Sequence, residues 1–182
     1  MAGKTPRDAI DAFLEPLKET LACVCPQHYG HIAYRGPDSD GLYALVVNRL
    51  QPVPLRREDG SRLLFDVRQM FRVVEAEGLR GPYKVSTAAY LYQISREDGR
   101  ELLAFHWNPH GRGKVTTPHV HIGPVVEQAA EIVRGLHIPT GRVSLEAVVR
   151  FLIDELSISP QRADWADVVA RNEERFNQWR IW

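Results

Sequence analysis

The chain has 182 residues, of which 44% are hydrophobic and 25% charged, a composition typical of a globular protein and too apolar for a disordered one. Lysine and arginine together number 23, as do aspartate and glutamate, so the chain has no net charge with which to coat a nucleic acid. No run approaches the ~20 apolar residues of a membrane helix, and residues 1–7 lack the apolar core of a signal peptide. We therefore expect a cytoplasmic protein without membrane contact.

The two cysteines, Cys23 and Cys25, are separated by one residue. A disulfide between residues this close would be badly strained, so we expect free thiols in a reducing compartment. Together with His28 and His31 they offer the ligand types of a zinc site, although their spacing matches no standard zinc knuckle. Buried thiols beside ordinary loop histidines are the competing interpretation.

The N-terminal segment predicts a helix. Thr5 suits the N-cap, Pro6 the first helical position, and Asp8 the residue that completes a capping box. Apolar residues then recur at helical spacing as far as Leu21. Pro16 lies inside this pattern, where it removes a backbone hydrogen bond, so we expect the helix to kink or break there.

A β-hairpin is predicted for residues 32–34 and 42–50, which a polar loop joins and Pro52 and Pro54 end. The apolar positions of residues 63–74 then recur every three to four positions. This spacing favours a second helix, and the adjacent valines within it leave a twisted strand as the alternative.

The clearest sheet signal lies in the centre of the chain. Residues 83–94 and 101–107 are rich in β-branched and aromatic side chains, and the loop between them has Asp-Gly turn chemistry. These features predict a hairpin. Residues 115–122 form a third such run, which we expect beside the second strand as a meander.

The C-terminal third of the chain predicts helices. A short helix is expected over residues 125–134, a stronger one after the N-cap Ser144, and a last one from about Asp164. The sequence thus predicts a single α+β domain over residues 1–182. Its antiparallel sheet, a hairpin or meander of roughly four to five strands, would pack against N-terminal and C-terminal helices.

Four of the seven histidines, His106, His110, His119 and His121, lie within a short stretch of the chain. Side chains two residues apart on a strand point to the same face, so His119 and His121 should project together. If the preceding strand pairs antiparallel through the loop, His106 comes within reach of both. This cluster is the strongest indication of chemistry in the sequence.

Two kinds of chemistry suit such a cluster. In the first, His106, His119 and His121 bind Zn²⁺, Fe²⁺ or Mn²⁺ and leave a position open for water or substrate. In the second, the histidines act without metal as general base and acid on a phosphodiester such as RNA, and Arg112 or Lys114 stabilises charge on the phosphoryl oxygens. The competing interpretation is that the histidines only hydrogen-bond across a hairpin.

Several short motifs follow one another between residues 83 and 156. They are the alternating Tyr90 and Tyr92, the segment Asn108-Pro109-His110, the residues Pro118, His119, His121 and Gly123, and a helix start at residues 144–149. In this order they resemble the TumE-type family of bacterial toxins, small proteins usually encoded beside an antitoxin. Two features depart from the family. Trp107 stands where the family tends to have an aspartate, and residues 1–80 have no counterpart in the family.

The resemblance implies a toxin-like protein that acts on RNA or another phosphodiester, with a cognate antitoxin as partner. The candidate catalytic residues are His106, Asn108, His110, Arg112, Lys114, His119 and His121. Two alternatives stay open. One is a metal-dependent enzyme on a small substrate, with one divalent ion such as zinc, and the other is a non-catalytic module that binds another protein.

Overall fold

The computed structural model describes residues 2–29, 32–75, 81–111, 115–123 and 137–179, which form a large antiparallel sheet with helices against it. Its strands are β1 (Ala2–Gly3), β2 (Ile32–Arg35), β3 (Tyr43–Val47), β4 (Val53–Arg56), β5 (Arg62–Glu75), β6 (Tyr83–Arg96), β7 (Glu101–Trp107), β8 (His119–Ile122) and β9 (His137–Pro139). Its helices are α1 (Pro6–Leu21), α2 (Leu145–Asp154) and α3 (Trp165–Trp179). The α+β class expected from the sequence is confirmed.

The main path of the sheet runs in the order β2-β3-β5-β6-β7-β8-β9, and each neighbouring pair along it is antiparallel. Off this path, β4 pairs with the first part of β5, and β1 pairs with the first part of β6. The described residues thus hold nine strands, more than the four to five expected. The difference arises because segments predicted as helix or loop are strands.

The helix predicted for residues 63–74 is wrong, because this segment is β5. It pairs along its length with β6 and, on its other side, with β4 and then β3. A bulge between Met70 and Phe71 shifts its register against β6. A central strand that is partly covered on both faces need not alternate apolar and polar residues. The apolar residues of β5 therefore recur every three to four positions, the spacing that is also typical of a helix.

The chain leaves the N-terminal hairpin through a tight turn and then forms another strand. The turn, Asn48–Leu50, holds three successive non-glycine residues at φ angles of 45°, 55° and 67°. The hairpin thus ends at Val47, before Pro52, and the segment that contains Pro54 forms the next strand, β4. Within the described residues β4 pairs on one side, with β5, and Pro54 therefore lies in an edge strand, where the missing N–H is tolerated.

Both predicted hairpins are confirmed, as β2–β3 and β6–β7. In the β6–β7 turn, Gly99 adopts a φ of 82° and its N–H donates to the Arg96 carbonyl at 2.9 Å. The third strand of the meander is also present as β8, although it begins at His119 rather than at Val115. The helix predicted for residues 125–134 lies outside the described residues.

The helices begin where the sequence places their caps. The Thr5 hydroxyl accepts the Asp8 N–H at 3.1 Å while the Asp8 carboxylate accepts the Thr5 N–H at 3.0 Å, and Ser144 accepts the N–H of Ala147 at 3.0 Å. α1 continues through Pro16 without a break. No helix in the described ranges is long and apolar enough to cross a membrane.

Helices α1 and α2 pack against one face of the sheet, which we call the helix face, and α3 packs against these two helices. Phe13 of α1 contacts Phe71 of β5 with ring centroids 5.0 Å apart, and Phe151 of α2 meets Phe105 of β7 edge-on at 5.8 Å. Alternate residues of the same strands lie on the opposite face, which we call the histidine face. The candidate site lies on that second face.

Candidate metal centre

Three histidines meet on the histidine face, where β7 and β8 run side by side. His106 of β7 is the register partner of His119 of β8, and His121 is the partner of Ala104. Directly paired residues of antiparallel strands, and residues two apart on one strand, project to the same face. The pairing therefore gathers the three imidazoles, while Phe105, the residue before His106, points to the helices.

The three imidazole rings are close together. The ring centroids are 5.1 Å apart for His106 and His119, 4.8 Å for His119 and His121, and 5.8 Å for His106 and His121. The His119 side chain is buried, with 2% of its surface exposed, whereas the other two are half-buried. The group therefore has a buried member and two members that reach the surface.

A backbone hydrogen bond fixes the orientation of His119. Its Nδ1 lies 2.6 Å from the carbonyl oxygen of Thr117, which can only accept, so the proton sits on Nδ1. In the neutral ring the lone pair is then on Nε2, the atom directed at His121. Histidines that bind metals usually hold their other ring nitrogen in this way.

The nitrogen atoms are spaced nearly as they would be around one ion. His119 Nε2 lies 2.9 Å from His121 Nε2. Two nitrogens bound at about 2.0–2.1 Å to one tetrahedral metal would be about 3.3 Å apart. The ligand atoms of the whole group, with His106, lie within 4.8 Å of one another, so a modest movement of His106 toward the pair would complete a three-histidine site.

Gly123 sets the end of β8 beside the cluster. Its N–H donates to the Leu102 carbonyl at 2.8 Å, and a Cβ at this position would collide with the backbone carbonyl of Glu101. The two backbones can approach this closely only without a side chain at Gly123. This contact keeps the β7–β8 register that brings His106 opposite His119.

Of the other predicted site residues, Asn108 and His110 are described and lie in the loop that follows β7. His110 is exposed in the loop after β7, and Asn108 shapes that loop, since its side-chain oxygen accepts the His110 N–H at 3.3 Å and its carbonyl accepts the Gly111 N–H at 3.2 Å. Asn108 thus stabilises a turn rather than facing the imidazoles. Arg112 and Lys114 lie outside the described residues.

The aromatic residues that flank the cluster in sequence belong to the core. Tyr90 and Tyr92 stack on the helix face with ring centroids 4.9 Å apart, and the Tyr90 hydroxyl accepts the N–H of Val143 at 3.0 Å. Trp107 lies on the same face, where the guanidinium carbon of Arg142 is 3.9 Å from its ring centroid. The position where the toxin family tends to have an aspartate therefore faces away from the imidazoles.

Among the described residues, Cys23, Cys25 and His28 do not gather as a group of metal ligands. Both cysteines are buried free thiols, and burial raises the pKa of Cys23 to about 11 and that of Cys25 to about 12. His28 is exposed, and His31 lies outside the described residues. The burial of both thiols agrees with the competing interpretation.

An ion pair on the histidine face, Arg68 with Asp66, was missed by sequence reasoning because residues 63–74 were predicted as a helix. On a strand, these two residues share a face. The period-two alternation of charged and apolar residues around them is the signal that could have revealed it.

Searches of protein-family models, of curated proteins and of solved structures found no match to this chain. The resemblance to the TumE-type toxins therefore stays a prediction from short motifs.

Proposed function

We propose that this protein is a metal-dependent enzyme in which His106, His119 and His121 bind one divalent transition metal: zinc, iron or manganese. The observation that carries the proposal is the register pairing of His106 with His119, which sets three imidazoles on one face of the sheet within ligand distance of one another. Three nitrogen ligands leave a further position for water or substrate, as in catalytic zinc sites.

The surroundings of His119 support this function. The Thr117 carbonyl holds the Nδ1 proton, which leaves Nε2 as the ligand atom and fixes the ring before any ion arrives. The ring is also buried, so it loses little freedom on binding. His106 and His121 are half-buried, and a substrate would approach the ion from their side.

When bound, such an ion supplies Lewis-acid chemistry and lowers the pKa of a bound water to about 7. Hydrolysis of an ester or a phosphodiester is the reaction class that fits this chemistry. The three histidines would hold the ion and fix the direction of its open position. The strands that carry them provide a rigid support for that geometry.

A second function is favoured by one contact, the 2.9 Å approach of His119 Nε2 to His121 Nε2. Two imidazoles at this distance can share a proton, which suits a general acid and base acting without metal. The protein would then be a toxin-like nuclease on RNA or another phosphodiester, with a cognate antitoxin as partner, as the family resemblance implies.

Hydrolysis assays on metal-loaded and chelator-stripped protein separate these functions. The substrates are bis(4-nitrophenyl) phosphate, 4-nitrophenyl acetate and single-stranded RNA. We expect hydrolysis of at least one substrate that stops on stripping, returns when zinc, iron or manganese is added, and is absent in His121→Ala. RNA cleavage that persists after stripping supports the second function, and inactivity of every preparation contradicts both.

A matched control is His28→Ala. His28 is exposed and lies against Tyr29, with ring centroids 4.1 Å apart, in a turn remote in sequence from β7 and β8. This variant should keep the parent's activity and metal dependence. Comparing His28→Ala with His121→Ala distinguishes an effect specific to the clustered histidines from the effect of removing any histidine side chain.

A further inference from the structure

An arginine lies on the same face of the sheet as the histidine group. The register partner of Arg68 on β6 is Leu91, the partner of Leu91 on β7 is His106, and His106 pairs with His119. These four residues form one row across four adjacent strands. Because register partners share a face, Arg68 projects from the histidine face.

The spacing of the strands sets the distance across this row. Neighbouring strands are about 4.8 Å apart, so the backbone of Arg68 lies about 10 Å from that of His106. The arginine side chain has 60% of its surface exposed. A molecule that spans about 10 Å could therefore contact the histidines at one end and the guanidinium at the other.

Asp66 holds this guanidinium in place. Its Oδ2 accepts a hydrogen bond from Arg68 Nε at 2.9 Å and lies 2.7 Å from Nη2. The aspartate side chain is itself 10% exposed, so the pair is anchored at its carboxylate end. One edge of the guanidinium is thus used for positioning. The remaining N–H groups point away from this carboxylate oxygen, with the planar geometry that suits an oxyanion.

The side chains of Leu91, Gln93 and Ala104 lie on the histidine face between Arg68 and the histidines. Leu91 is half-buried in the row itself. In the neighbouring row Gln93 pairs with Asp66 on one side and with Ala104 on the other, and Ala104 pairs in turn with His121. Ala104 is a small residue with 2% exposure.

We propose that Arg68, positioned by Asp66, binds an oxyanion of the substrate while the reacting part of that substrate lies at His106, His119 and His121. The inference rests on the proposed function and names its substrate class: a molecule with a phosphoryl or carboxylate group about 10 Å, or two strand spacings, from the bond that reacts. Arg68 is a binding residue in this arrangement, and Asp66 is a positioning residue.

Calorimetric titration of inorganic phosphate and of acetate into the zinc-loaded protein tests this inference. The parent should bind one of the two anions. Arg68→Gln should weaken that binding by about tenfold or more. Arg68→Lys keeps the positive charge but lacks the paired N–H donors of the guanidinium, so it should give an intermediate affinity. Binding of phosphate would assign a phosphoryl group, and binding of acetate a carboxylate.

Arg62→Gln is the matched control. Arg62 is exposed on the same strand and, six residues from Arg68, lies on the same face about 20 Å away. Its removal should leave the anion affinity unchanged. An equal loss in both variants would indicate nonspecific attraction and would overturn the inference.

Zinc content measured on the same samples separates this inference from the function on which it rests. Arg68→Gln should retain the parent's zinc. If the parent and Arg68→Gln hold equal zinc and bind the anions equally well, or if the parent binds neither anion, the inference about Arg68 is wrong while the metal site stands. If the parent holds no zinc, the proposed metal-dependent function is itself wrong.

Discussion

His106 and His119 are register partners on β7 and β8, with ring centroids 5.1 Å apart and ring planes 74° from parallel. The edge-to-face arrangement leaves both rings able to direct a nitrogen to a common point. The antiparallel register of β7 and β8 places the two residues opposite each other, and Gly123 lies against Glu101 just beyond that pairing.

Metal binding should raise the thermal stability of the protein. An ion that binds the folded chain alone adds about 2.7 kcal/mol at a concentration one hundred times its Kd. For a chain of this length that corresponds to a rise in Tm of about 5–10 °C. Thermal unfolding followed by circular dichroism with and without zinc measures it. The His121→Ala variant should show little rise, and an equal rise in that variant would contradict the assignment.

Gly123→Ala should disturb both stability and the site. The added Cβ meets the rigid backbone of Glu101, so the end of β8 must move, and we expect a loss of about 2–3 kcal/mol in the free energy of unfolding. Urea denaturation measures the loss, and zinc affinity should fall with it. Gly36→Ala is the matched control, because a Cβ there meets nothing within 4 Å. If Gly123→Ala left the free energy of unfolding unchanged, the contact between Gly123 and Glu101 would be looser than described.

Glu146 should make stability depend on pH. Burial is the largest cause that raises the pKa of its carboxyl from 4.5 to about 7. The folded protein therefore holds a proton that the unfolded chain releases above pH 4.5. The contribution to stability is complete below pH 4.5, decreases as the pH rises, and is lost above about pH 7. The difference is about 3 kcal/mol.

Urea denaturation at pH values from 4 to 8 measures this dependence, with Glu146→Gln as the comparison, because glutamine does not titrate. Among the described residues, neither Glu146 Oε2 nor Asn172 Oδ1 has a hydrogen-bond partner, although both are buried. A proton on the carboxyl gives the buried Glu146 side chain a hydrogen-bond donor. If the free energy of unfolding changes equally in parent and variant between pH 4.5 and 7, Glu146 is not the group responsible for the pH dependence.

Tyr92→Phe should weaken the helix face. The buried Tyr92 hydroxyl donates to Gln69 Oε1 at 3.0 Å, and Gln69 Nε2 donates in turn to the Thr87 hydroxyl at 3.0 Å. Removing the hydroxyl leaves a buried acceptor without its donor, so we expect a loss of about 1–2 kcal/mol. Tyr34→Phe, at an exposed ring, should change stability by less than about 0.5 kcal/mol. Urea denaturation of both variants gives the comparison.

Local signals in the sequence predicted the elements that local chemistry decides. Thr5 and Asp8 form the expected capping box, Ser144 caps α2, and the turn at Gly99 joins β6 to β7. The alternation of His119 and His121 also placed them on one face. In each case the deciding contacts lie within a few residues of one another.

The elements that the sequence predicted wrongly are those whose structure depends on pairing with strands distant in sequence. β5 has apolar spacing close to that of a helix, yet it is paired on both sides, and pairing partners are not visible in its own residues. β4 contains Pro54, which is tolerated there because the strand is paired on one side among the described residues. The location of Arg68 relative to the histidines depends on the registers of four strands, β5 to β8, which the sequence does not show.

Elemental analysis of the purified, untagged protein tests the central claim most directly, beside the His119→Ala/His121→Ala double variant and the His28→Ala control. We predict about one equivalent of zinc, iron or manganese in the parent and in the control, and none in the double variant, with all three folded by circular dichroism. Absence of metal in the parent after loading, or equal metal in the double variant, would contradict the three-histidine site.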